Sequence, residues 1–234
     1  MTSAARKPAH PGRRLLFALS GLATLAASIG APVLLPYPLL VASLCRDWRL
    51  PAVIPDGRRL LVATLAACLV LETGAWAHNV IRDAAEPALF HPQLLPDLLM
   101  AIGFYAGWWL AWWWLLRRWR YTTGEVFAIT ALYGVFIEQQ GRVFLLGLRT
   151  LPTGALLWLF VALAYGSTMA LAHVWAGGQT ARNAAQPQGR WKYPAALAAM
   201  FVCSVGLMIL WNLPLSWLDA IPPERLPMRS HPFW

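Results

Sequence analysis

Long uncharged or nearly uncharged apolar runs, at about 60–81, 95–116, 124–148, 155–177 and 194–218, decide what this chain can fold into. At 1.5 Å of rise per residue, a helix of 20 residues crosses the roughly 30 Å hydrocarbon layer of a bilayer. In lipid every backbone N–H and C=O must be paired internally, which leaves helices or a closed barrel. Runs that are apolar on all sides and longer than any barrel strand read as helices. The expected fold is all-α: a polytopic membrane helix bundle. Composition agrees, since 59% of the 234 residues are hydrophobic and only 12% are charged, against roughly 25% charge in soluble domains. A disordered chain, a disulfide scaffold and a coiled coil are excluded.

Two shorter apolar stretches, 15–31 and 33–45, come first, separated by Pro32 and followed by Pro36 and Pro38. Proline blocks a helix interior, so a single straight helix over 15–45 is disfavoured. Two short spans or a re-entrant hairpin are expected, giving about seven membrane segments. Charge then sets orientation. With an even number of crossings before residue 46, the segment 1–14 shares a side with loops 46–59, 117–123 and 178–193, and Lys and Arg divide 14 against 4. A single crossing would divide them 8 against 10. The positive-inside rule prefers the first division. The reading is a multi-pass protein of the cell (inner) membrane with its N-terminus inside and its C-terminus outside. Its parts are a basic cytoplasmic tail at 1–14, one transmembrane helical domain at 15–218 and a Pro-rich exterior tail at 219–234. The stretch 15–31 also has the length of a signal-peptide core, but its pairing with 33–45 in the charge count favours retention.

The net charge of +9 lies in these loops, where it serves orientation, so no nucleic-acid partner is expected. Membrane lipids are the expected partners, with another membrane protein subunit as a further one. Cys45, Cys68 and Cys203 lie in or at the end of apolar runs and read as small hydrophobes. Trp112, Trp113, Trp114 and Trp119 flank the basic turn Arg117–Arg120, where indoles anchor a helix at the headgroup level. Thr122 and Glu125 have capping-box spacing at the start of the fifth apolar segment, 124–148.

Polar groups inside the spans carry the functional question, because an ionisable side chain in hydrocarbon costs about 2.5–3.5 kcal/mol on insertion scales. Glu72 lies 12 residues beyond Leu60, roughly 18 Å up, and Glu138 lies 14 beyond Gly124, roughly 21 Å up. Both acids are expected in the outer half at similar height. His78, Asn79, Arg142 and Asn212 lie above them. Glu72, Trp76 and Asn79 share one helical stripe, and Glu138 and Arg142 have the i, i+4 spacing of an ion pair. Ala131 and Gly134 below them, and Gly103 and Gly107 beside Tyr105, offer small edges for close helix approach. Glu72, Glu138 and His78 are the candidate catalytic groups. Arg142, Asn79, Gln139, Tyr105 and Asn212 are the candidate substrate-binding groups. A structural role is the competing account, with Glu138 neutralised by Arg142 and Glu72 hydrogen-bonded to Tyr105, Asn212 or a glutamine.

No spacing specifies a cofactor. His78, Glu72, Glu138 and His91 are metal-type ligands without a HExxH pattern, and His78 and His173 lie toward opposite faces of the membrane, so no metal is assigned. The order Glu138-Gln139-Gln140-Gly141-Arg142, His173, Asn212 is similar to the motif order of the CPBP intramembrane metalloproteases. Ile137, Met169 and Met208 stand where those motifs have Glu, Phe and His, and the family is not assigned. Three functional classes follow: an enzyme acting on a lipid-like or lipid-linked substrate, a proton-coupled transporter, and a non-catalytic subunit or assembly factor of a membrane complex. The lack of an internal repeat weighs against the transporter.

Overall fold

In the computed structural model, described for Cys45 and for residues 47–84, 87, 89–178, 187 and 189–234, every regular element is helical. The stretches 15–31 and 33–45 fall outside the described residues, apart from Cys45. The elements are α1 (Asp56–Arg82), α2 (Leu94–Arg118), α3 (Thr123–Ile137), a 3-10 turn (Glu138–Gly141), α4 (Arg142–Arg149), α5 (Gly154–Trp175) and α6 (Lys192–Trp217). Four of them, α1, α2, α5 and α6, are long and apolar enough to cross a membrane.

The run 124–148 is not the single span its hydropathy predicts. Gln139 and Gln140 adopt φ of 47° and 58°, and Gly141 follows at 85°. Three successive left-handed residues end α3 and restart the chain as α4 in a new direction. The Gln-Gln-Gly sequence explains the position, since glycine takes this conformation freely and the amides need not remain in the apolar stripe. Two non-glycine residues there cost roughly 1–2 kcal/mol each. Helix α3, with 15 residues, reaches only about 22 Å.

Close approach of small residues selects the helix partners. A Cβ on Gly107 would meet the Ser204 backbone at 2.3 Å, so α2 lies against α6, and Gly103 in the same edge faces Trp211. A Cβ on Gly134 would meet Tyr165 at 2.5 Å, which sets α3 against α5. Without a hydrophobic drive between helices in lipid, such intimate packing is the main attraction available. Helix α1 contacts both α2 and α5, and α3 touches α6, closing the ring. Trp108, Trp112, Tyr133, Met169 and Met200 fill its centre.

The loops gather at two ends. At the basic end, Leu50 N–H donates to Trp175 O (2.9 Å) and Arg120 N–H to Pro187 O (3.3 Å). The Thr122–Glu125 capping box forms as the spacing predicts. Glu125 also pairs with Lys192, whose Nζ donates to Arg120 O at 2.9 Å, tying α3 to α6. Burial opposes ionisation of Glu125, but donors from Lys192, the Thr122 backbone and Tyr193 outweigh it and hold the carboxyl at about 2. The expected tryptophan belt is only partly one: Arg117 lies over Trp113 at 4.7 Å and Arg118 over Trp119 at 5.3 Å, and Trp114 is exposed. Trp112 instead is fully buried, edge-on to Tyr121.

At the other end, residues 219–234 fold back on the bundle. Leu94 and Leu95 N–H donate to Pro232 and Phe233 carbonyls, both at 3.0 Å. Phe233 packs on Trp76, and Gln93 Nε2 donates to Leu226 O at 2.7 Å. This segment straps the first turn of α2, whose unpaired N–H groups need acceptors.

Candidate functional site

Glu72 sits on the face of α1 turned toward α2 and is 8% exposed. Tyr105, from α2, donates its hydroxyl to Glu72 Oε2 at 2.8 Å. Glu138 is half-buried at the first residue of the 3-10 turn, and Tyr165, from α5, donates its hydroxyl to Glu138 Oε2. Each acid is therefore served by a phenol from a neighbouring helix. Trp108 lies between the two tyrosines, its ring 5.2 Å from Tyr105 and 5.3 Å from Tyr165. Glu72 and Glu138 fall within electrostatic range of each other. The geometry brings the two carboxyls to one continuous polar-aromatic centre made by α1, α2, α5 and the α3–α4 break.

The remaining candidates join it unequally. Tyr105 belongs to the centre. Arg142 does not pair with Glu138: the left-handed residues between them abolish the i, i+4 geometry, and Arg142 is exposed at the start of α4. Gln139 is exposed on the turn itself. Asn79 donates to Ala75 O (2.8 Å) and Asn212 to Met208 O (2.9 Å), so each amide is spent on its own helix four residues back. His78 is half-buried and makes no hydrogen bond to a described residue. Among the described residues, no group of three or more His, Cys, Asp or Glu side chains converges as a metal-ligand set.

Two participants escape a reading by hydropathy. Tyr165 is one; its signal was a mid-span tyrosine, whose buried hydroxyl requires a partner. Asp97 is the other. It lies in the first turn of α2, fully buried, and accepts from His91 N–H at 3.0 Å while acting electrostatically on Glu72. His91 Nδ1 in turn accepts from Gln93 N–H at 3.2 Å. Burial pushes the His91 imidazole down; the Pro222 carbonyl partly offsets this, and Arg225 adds to it. His91 thus sits at the strapped end, its backbone N–H held by Asp97.

No protein-family model, curated protein or solved structure matches the chain. Chemically, a buried carboxyl held by a phenol can take up or deliver a proton.

Proposed function

We propose that this is a multi-pass protein of the cell (inner) membrane, with its N-terminus inside, whose working centre is the pair Glu72–Tyr105 and Glu138–Tyr165. In this reading it is an enzyme acting on a lipid-like or lipid-linked substrate in the leaflet nearer the strapped end. One carboxyl serves as general acid or base and the other as its electrostatic partner. The observation that supports it most is Glu138: an acid on a helix break, half-exposed beside two strained glutamines, and hydrogen-bonded among the described residues by a tyrosine alone. Strained backbone persists where the surroundings over-determine it, and such places cluster at functional sites. A purely structural carboxyl would gain more from a basic partner, and Arg142, four residues away, turns elsewhere.

Glu72→Gln and Glu138→Gln test the proposal. Both amides keep shape and can still accept from the tyrosines, but neither exchanges a proton. The expected outcome is an inserted, folded protein that fails to complement a deletion strain. Full complementation by both variants would leave the centre a structural one.

A second reading, a subunit of a membrane complex, is favoured by α6. That helix exposes Val202, Ile209, Leu210 and Leu213, a surface that lipid or another membrane helix can cover. Co-purification of one stoichiometric membrane partner after mild detergent extraction would support it; a monomer that retains only lipid would not.

A further inference from the structure

A second site lies at the opposite, basic end of the bundle, and the geometry points to a phosphate-binding pocket there. A cavity of about 300 Å³ opens between the start of α1 and the ends of α2 and α5. Helix α1 begins after Pro55 with no side-chain cap, and its first intrahelical bond is Arg59 N–H to Pro55 O. The N–H groups of Asp56 and Gly57, both on the cavity wall, precede that bond and carry the positive end of a 27-residue helix dipole. Opposite them stands Arg117, its guanidinium over the Trp113 ring.

His173 supplies the independent observation. It lines the same cavity, is 1% exposed, and its Nε2 has no hydrogen-bond partner among the described residues. Its other nitrogen, Nδ1, lies 3.1 Å from Thr123 Oγ1. With that hydroxyl donating to Nδ1, Nε2 carries the proton and offers a buried donor that no described residue accepts from. A buried polar group left unpaired is costly, and here an acceptor ligand would satisfy it. Asp56, the acid among the described lining residues, is engaged by Arg59. Helix N–H groups, a guanidinium and an imidazole N–H lining one space are the donors a phosphate takes. Leu60, Leu116 and Trp113 form an apolar wall beside them, which suits a phosphate carrying acyl chains as well as a free anion.

The test uses the full chain purified in mild detergent. Native mass spectrometry and thermal unfolding are read with added phosphatidylglycerol, phosphatidylcholine or inorganic phosphate. Arg117→Gln removes the exposed charge, and Ala176→Phe fills the cavity without touching a charged group. Retention of phosphatidylglycerol over phosphatidylcholine, weakened about tenfold in Arg117→Gln and lost in Ala176→Phe, identifies a lipid phosphate. Stabilisation by inorganic phosphate with the same response to both variants, and no lipid preference, identifies a free anion. Absence of any phosphate-dependent stabilisation or retention, or an effect that both folded variants preserve, would overturn the site.

Discussion

Tyr105 donates a 2.8 Å hydrogen bond to Glu72, and this one contact joins α2 to α1 at the depth where both are buried. The bond answers two needs at once. The phenol gains an acceptor inside hydrocarbon, and the carboxyl gains a donor that brings no charge. A cation in the same place would have fixed Glu72 as a permanent ion pair. Tyr165 repeats the solution at Glu138.

Tyr105→Phe should accordingly lower stability by about 1–3 kcal/mol, the usual cost of stranding a buried polar group. Glu72→Gln should cost less, because the amide oxygen still accepts. The double variant Tyr105→Phe/Glu72→Leu should recover part of the loss, since it removes both polar groups. Chemical unfolding in detergent measures all three, and equal losses for the three would deny the contact any role.

Arg142→Ala should change stability by no more than about 0.5 kcal/mol, as for an ordinary surface substitution. Sequence spacing alone predicts a far larger loss, because an i, i+4 partner of Glu138 could not be removed cheaply. A drop in unfolding free energy several times larger would restore the ion pair that the left-handed turn excludes.

These two glutamates show where the sequence is legible and where it is not. Hydropathy and charge reveal the membrane class and four spans because they act over 20 or more residues. Glycine edges also read well, with Gly107 and Gly134 at helix contacts as their spacing predicts. The surroundings of Glu138 are not legible in this way. Its run looks continuous by hydropathy, and only the backbone angles of Gln139 and Gln140 redirect Arg142. Tyr165 and Asp97 were invisible for a different reason: each acquires its meaning from another helix, and helical periodicity describes only its own.

Gly107→Ala should destabilise the protein although alanine is the better helix former. Its Cβ would fall 2.3–2.6 Å from backbone atoms of Cys203 and Ser204, which cannot swing aside as a side chain does. Helices α2 and α6 must separate. Gly206→Ala, on α6, is the control, because nothing lies within 4 Å of its Cβ. It should be neutral or gain up to about 1 kcal/mol from helix propensity. Opposite signs in paired thermal unfolding measurements are expected; a stabilising Gly107→Ala would mean that α2 and α6 are not in contact.

The Trp234 end and the loop 178–192 should report opposite sides of the membrane. A phosphatase fused after Trp234 should be active outside the cell. A Cys replacing Gln186 should react only with permeant reagents. The 14-against-4 division of basic residues motivates both. Exterior labelling at residue 186 would invert the molecule, moving the acid pair to the cytoplasmic leaflet and the phosphate pocket outside.

Acid should loosen the basic end first. Glu125 caps α3 and pairs with Lys192, and its carboxyl is held down from 4.5 to about 2. A depressed carboxyl contributes stability that is fully present above its unfolded pKa, about 4.3. That contribution falls away as pH drops through the window from there to about 2, because the unfolded chain binds the proton first. Glu125→Gln should lower the thermal midpoint at neutral pH and flatten its decline between pH 4.5 and 2, both ends taken from that shift. His91, pushed down by burial, should not contribute in this window through Glu125, since it lies at the opposite end of the bundle. If Glu125→Gln declines with acid as steeply as the parent, the pair with Lys192 does not hold α3 to α6.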